Sequence, residues 1–220
     1  MFSFLSSFFD KEEVKENENT KEEPTAYGTD IHALPVNDNA IPVFLTLICN
    51  EIIKQANVVG LFRVCGDHMI VQELGKAALS YYFWVPQCSV HDLTSMLKQW
   101  LRMLPTPILT PSVVNKCYKN DKESCLEILR ELDPLNRKCI ATILATIQIV
   151  IDQSETNQMT FSNISICFVP SFLQNGKDIE VTFDFQLFFD TCIEYMNADG
   201  NDIDIKRLYP PRESKLIKFS

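Results

Sequence analysis

Between about residue 25 and residue 198, apolar side chains recur every three or four positions and almost nowhere every second one. That spacing lines one face of a helix, whereas a half-buried strand needs strict alternation. Ile41, Phe44, Leu45, Ile48 and Ile52 form one stripe, with Pro42 tolerable in a first turn. Leu93, Met96, Leu97, Trp100, Leu101 and Leu104 form a second, opened by Ser89 and Asp92 in a near-match to a capping box. Leu126, Leu129 and Leu132 form a third. Leu135, Ile140, Ile143, Leu144, Ile147 and Ile151 form a fourth, starting after Pro134. Phe185, Phe188, Phe189, Cys192, Ile193 and Met196 form a fifth. A weaker helix is expected over 67–83, and the nearly all-apolar run 160–173 predicts a buried helix. The pattern predicts an all-α fold: one helical domain over 25–198, with short flexible tails.

The tails differ from the domain in composition. Residues 10–23, DKEEVKENENTKEE, hold seven acids against three lysines, so residues 1–24 read as an acidic, disordered tail. The Phe-rich opening before them allows membrane contact that is at most weak. NADGND at 197–202 reads as a stop, which leaves 199–220 as a C-terminal tail. No run approaches the roughly 20 apolar residues of a membrane span. MFSFLSSFF lacks a preceding basic residue, Phe2 excludes myristoylation, and the final IKFS holds no prenylation cysteine. A cytoplasmic protein is expected.

Composition then removes several kinds of chemistry. A net charge of −9 does not suit nucleic acid, which needs a basic footprint. The six glycines lie more than five positions apart, so neither GxxxxGK nor GxGxxG can be written. No nucleotide site of its own is expected, because a phosphate loop needs glycine where backbone amides approach the anion. The closest two of eight cysteines are eight residues apart, and the three histidines form neither HxxxH nor HExxH. No metal site and no cofactor are expected, and the cysteines read as reduced core thiols.

Three segments stand out from the helical background. GLFRVCG, Gly60 to Gly66, sets Arg63 on a glycine-flanked turn between two helices, from which an arginine can project. In DLTSMLKQWLRMLPTPIL, Lys98 and Arg102 share one helix face, joined by His91 and Ser95, with Leu93, Leu97 and Trp100 roughly opposite. Like charges four apart repel slightly, so a helix that keeps both suits an anionic partner. In MTFSNISICFVPSFL, Asn163 is polar within an apolar run, and asparagine is a poor residue in a helix interior.

In this order the three segments resemble the RhoGAP domain, the GTPase-activating module for Rho-family small GTPases. Its patterns GxFRxSG, LLKxxLRxLPxPL and NxMTxxNLAxxFGPxLL are similar to GLFRVCG, to MLKQWLRMLPTPIL at 96–109 and to NQMTFSNISICFVPSFL at 157–173. YGTDI at 27–31 and IPVFLTLICNEI at 41–52 look like its opening. The resemblance implies that Arg63 is a catalytic arginine finger inserted in trans, and that Lys98, Arg102 and Asn163 bind the GTPase. The implied partner is a Rho-family small GTPase in its GTP-bound form, which brings the nucleotide itself. The chain would then be an activator, not a self-contained enzyme, recruited to membranes through its partner. Cys65 stands where the family usually has Ser, Gln158 where Lys is common, Ser165 for Ala, and Val169 for the Gly before Pro170. Asp133 interrupts the usual Leu-Pro. The alternative is a catalytically weak or inactive module of the same fold that binds a small GTPase as an interaction domain.

Overall fold

Pro42 closes the loop that leads into the first long helix, and the fold grows from there. The computed structural model describes residues 23–80, 88–114, 121–174 and 184–198. The expected tails, apart from Glu23 and Pro24 at one end, lie outside these residues. Nine α-helical segments occur among the described residues: α1 Val43–Lys54, α2 His68–Ala77, α3 Val90–Met103, α4 Pro111–Val114, α5 Lys122–Glu131, α6 Pro134–Asp152, α7 Ser154–Asn157, α8 Phe161–Phe172 and α9 Phe185–Asn197. The described residues contain no strand, so the fold is all-α.

The stripes expected at 41–52 and 93–104 are buried along their length, with Ile41 1%, Phe44 0% and Trp100 0% exposed. Pro42 sits one position earlier than a first-turn proline, as the residue before α1. The third stripe is shifted: Cys125, Ile128 and Leu129 face inward on α5, while Leu126 is only half-buried. Asp133, the residue that interrupts the usual Leu-Pro, caps α6 through its side chain, accepting from the amides of Leu135 and Asn136 with Pro134 in the first turn.

The central helix is α6, packed against α1, α8 and α9. At 19 residues it is long and apolar enough to cross a membrane, a length the stripe pattern understated. Its apolar residues go to the interior instead: Ile140, Ile143, Leu144 and Ile147 are all 0% exposed. Run 160–173 departs from expectation the other way. As α8 it buries only Ile164, Phe168, Ser171 and Phe172, and leaves Ile166 73% exposed. An apolar run without clear period looks buried all round, but here one side is left open.

The lead-in YGTDI docks on α2. The Tyr27 hydroxyl donates to the Val71 carbonyl at 2.6 Å, and the Ala26 amide donates to Gly75 O at 2.8 Å. Gly75 is required by this packing, because a Cβ there would lie 2.3 Å from the Tyr27 ring. Glu23, at the end of the expected tail, pairs with Lys76 at 2.8 Å.

The capping box at the head of α3 is complete. Ser89 Oγ accepts from the Asp92 amide, while Asp92 Oδ2 accepts from the Ser89 amide at 2.6 Å. Asp92 is 3% exposed, and its Oδ1 accepts from the Asp67 amide at 2.6 Å. One carboxylate therefore starts α3 and ties down the segment before α2. Asp92→Ala is expected to cost about 2–3 kcal/mol, above an ordinary cap because a second element loses its acceptor. Urea denaturation checks this; a loss below about 0.5 kcal/mol would mean that water replaces the carboxylate.

Candidate functional site

The segment between α1 and α2 is a turn drawn tightly onto the body of the protein. Gly60 adopts φ +78°, and its carbonyl accepts from the Arg63 amide at 3.0 Å and the Val64 amide at 2.9 Å. The positive φ suits glycine, and a Cβ would also fall 2.8 Å from Val64 Cγ2. Phe62 takes φ +65°, a conformation that costs a non-glycine residue about 1–2 kcal/mol. Its ring is 0% exposed and meets Phe168 edge-on at 5.8 Å. Burying a phenyl ring returns about 1.5–3 kcal/mol, with about 0.5–1.5 more from the aromatic pair, so burial outweighs the strain. With Phe62 turned inward, Arg63 is turned out.

Four further anchors hold this turn. The Lys98 ammonium donates to the Phe62 carbonyl. Ser95 Oγ, one turn earlier on α3, accepts from the Gly66 amide at 2.9 Å, and Asp92 takes the Asp67 amide. The carbonyl of Asn157 accepts from the Gly60 amide at 2.9 Å. Asn157 is fully buried, and its Nδ2 donates to Ala56 O at 2.6 Å and Val150 O at 2.7 Å while its Oδ1 accepts from the Met159 amide at 2.7 Å. It bolts the ends of α1 and α6 to the turn. The NQMT pattern contains Asn157 but by itself assigns it no role. Its signal was a polar residue with low helix propensity just after a long apolar helix.

The Arg63 side chain is exposed and makes no hydrogen bond or ion pair among the described residues. Its guanidinium lies back along the turn, with Nη2 3.5 Å from where a Gly60 Cβ would stand. Lys98 and Arg102 follow on one face of α3, as their spacing predicts. Burial chiefly holds the Lys98 ammonium below the usual lysine range, and Arg102 adds to the effect. Arg102 Nη1 donates to Ser171 Oγ on α8 at 3.3 Å. Two cations are thus fixed by neighbouring elements, and one on the rigid turn is free to be spent on a partner.

Asn163 is not in a helix interior. It is the third residue of α8, behind the Thr160 cap, and is half-buried. Its Nδ2 donates at 2.9 Å to the carbonyl of Gln158, which turns the chain at φ +61°. Helix starts accept asparagine well, which removes the propensity conflict. This contact joins Asn163 to the segment that anchors Gly60, so Arg63, Lys98 and Asn163 all connect to the turn, while Arg102 is held by α8. Val169 is half-buried against the core in a continuous α8. His68 is exposed, near Gln72. No group of three or more His, Cys, Asp or Glu residues suited to a metal occurs among the described residues.

The rim is apolar. Of seven exposed large hydrophobic side chains among the described residues, five lie on the turn or on the helices beside it: Val59, Val64, Met69, Met103 and Ile166. Exposed apolar side chains on the elements that carry the cations suit a macromolecular surface better than a small anion.

Fold and site together define a helical module that holds one uncommitted arginine on a braced turn, beside two fixed cations. A family model for the RhoGAP domain matches residues 42–177, and the chain belongs to that family. The Rho GTPase-activating protein conundrum of Drosophila melanogaster is 27% identical over 197 residues, covering 76% of this chain and 31% of its own. The Rho GTPase-activating protein gacH of Dictyostelium discoideum is 30% identical over 156 residues, covering 66% of this chain and 27% of its own. The chain thus spans less than a third of either relative. The crystal structure of human Rho GTPase activating protein 15 superimposes with a TM-score of 0.63 at 19% identity, over 78% of this chain and 87% of that one. The BH domain of GRAF, the GTPase regulator associated with focal adhesion kinase, gives 0.53 at 21%, over 71% and 89%. At these identities the two structures share the fold.

Proposed function

We propose that this chain accelerates GTP hydrolysis by a Rho-family small GTPase, with Arg63 entering the partner's active site as a finger. The observation that carries this reading is the contrast among the three cations. Lys98 and Arg102 are spent on holding the turn and α8, while Arg63 is exposed, unpaired and mounted on the segment they brace. A small GTPase holds GTP and Mg²⁺ but stabilises the developing charge on the transferred phosphoryl group poorly. A guanidinium delivered in trans supplies that charge in a fork matched to phosphate oxygens. Asn163, beside the turn, offers an amide to the same interface, and the apolar rim packs around the contact. The GTP-bound form is the preferred partner, because the γ-phosphate orders the surface that the cations meet. The same reading keeps the chain in the cytoplasm, at membranes only through its partner.

Charge reversal tests this face. Lys98→Glu combined with Arg102→Glu is expected to weaken binding to the GTP-loaded partner at least ~100-fold, chiefly through faster dissociation. Arg102→Glu alone should show part of the effect with the Lys98 brace intact. Biolayer interferometry against GTP- and GDP-loaded Rho, Rac and Cdc42-type proteins reads both. Unchanged dissociation in the double variant would place the partner on another face.

A further inference from the structure

The chain enters the fold on the helix that continues from the arginine turn. The Tyr27 hydroxyl and the Ala26 amide hold the lead-in on α2, and Glu23 pairs with Lys76 in the last turn of that helix at 2.8 Å. α2 starts at His68, just past the turn that carries Arg63. At about 1.5 Å per residue, Lys76 stands about 12 Å along the axis from that start. Residues 10–22, at about 3.3 Å each when extended, can span about 40 Å from Glu23, more than the way back to the turn. They hold six acids against three lysines, and Phe2, Phe4, Leu5, Phe8 and Phe9 precede them. The turn offers the opposite charge and the same apolar character. The Arg63 guanidinium is exposed and unpaired among the described residues, while Asp67 and Asp92 nearby are held on backbone amides. Val59 and Val64 at the turn are 47% and 43% exposed, and Met69, in the first turn of α2, is 70% exposed.

We propose that the acidic, Phe-rich segment over residues 2–22 docks on the arginine turn of its own chain, carboxylates against Arg63 and phenyl rings against Val64 and Met69, and competes with the GTPase for that face. The tie at Glu23 makes the encounter intramolecular, at an effective concentration on the order of millimolar. Net negative charge draws the segment toward the exposed guanidinium. Exposed ion pairs contribute about 0–1 kcal/mol each, so charge alone does not hold it. The rings supply the rest by covering apolar side chains that otherwise face water. A contact of this strength covers Arg63 yet yields to a GTPase that buries a whole interface. The competition rests on the function proposed above, whereas the docking does not.

Two variants of the full chain test this, both altered only outside the folded helices. One combines Glu12→Gln, Glu13→Gln, Glu16→Gln and Glu18→Gln; the other combines Phe4→Ser, Phe8→Ser and Phe9→Ser and leaves the charge unchanged. Amide nitrogen–proton NMR spectra of each are compared with wild type. Both are expected to move the signals of Val59 to Met69, and about 0.5 M NaCl should move the wild-type signals toward those of the Gln variant. Each variant should also bind the GTP-loaded partner about 5-fold or more tighter at low salt, because the competing segment is weakened. Signals over 59–69 that stay in place in both variants overturn the docking. Shifts in the Gln variant alone overturn it as well, since a distant field would then act without contact. Docking with unchanged GTPase affinity overturns the competition. If neither wild type nor variants bind a GTPase, the functional reading fails instead, while the spectra still decide the docking.

Discussion

Arg63→Ala is expected to abolish acceleration of GTP hydrolysis, a loss of about 10³–10⁵ in rate if this finger matches those of related GTPase systems, while binding of the GTP-loaded partner falls by less than ~10-fold. The split follows from the geometry. The Arg63 side chain makes no hydrogen bond or ion pair among the described residues, so its removal leaves the turn intact, held by Lys98, Ser95, Asp92 and Asn157. Arg63→Lys should recover little, because an ammonium keeps the charge but loses the planar fork that spans two phosphate oxygens. Single-turnover hydrolysis and equilibrium binding, measured on the same preparations, separate the two effects. Joint loss of binding and acceleration in a folded Arg63→Ala protein would assign the arginine to docking rather than to phosphoryl transfer.

The largest effect on stability is expected at a residue that touches no partner. Asn157→Ala removes both donors held by the carbonyls of Ala56 and Val150 and the acceptor held by the Met159 amide, all in the dry interior. Stranding three buried backbone groups costs about 1–3 kcal/mol apiece before relaxation. A net loss of about 3–5 kcal/mol follows, or a fall in Tm of ~10 °C or more for a chain of this size. The same change should loosen the Gly60 turn, so acceleration falls even at temperatures where the helical circular dichroism is intact. Asn157→Asp should not rescue it, because a carboxylate oxygen would then face two carbonyls. A Tm within about 2 °C of wild type would show that water takes over these bonds and that Asn157 is not the bolt described here.

The helices were legible wherever one face is apolar and the other is not. Ile41 to Ile52 and Leu93 to Leu104 are the clearest cases, and the Ser89–Asp92 box could be read because a cap is a local device. Misreadings arose where periodicity gave no contrast. Ile128 and Cys125 displaced Leu126 from the core of α5, and the uniform run of α8 concealed an open side at Ile166. Asp133 departs from the usual Leu-Pro, and its part in starting α6, accepting two amides, depends on the helix that follows. The positions of Arg63, Lys98, Arg102 and Asn163 on the turn, on α3 and on α8 could be anticipated from spacing and resemblance. Their joining could not. Lys98 reaches Phe62 across 36 residues and Arg102 reaches Ser171 across 69, contacts that packing creates and no local pattern encodes. The same holds for the left-handed Phe62 and for Asn157, whose partner Ala56 lies 101 residues away.

The central claim is that this chain supplies catalysis to a bound GTPase and not merely a docking surface. Single-turnover GTP hydrolysis by Rho-, Rac-, Cdc42- and Ras-type proteins, with and without the wild-type chain at saturating concentration, tests it most directly. The account predicts acceleration of at least one Rho-family member by ~10³ or more, with little or none for the Ras type. Tight binding to a GTP-loaded Rho-family member with hydrolysis left at its intrinsic rate would contradict it, and would make the braced arginine part of a docking surface alone.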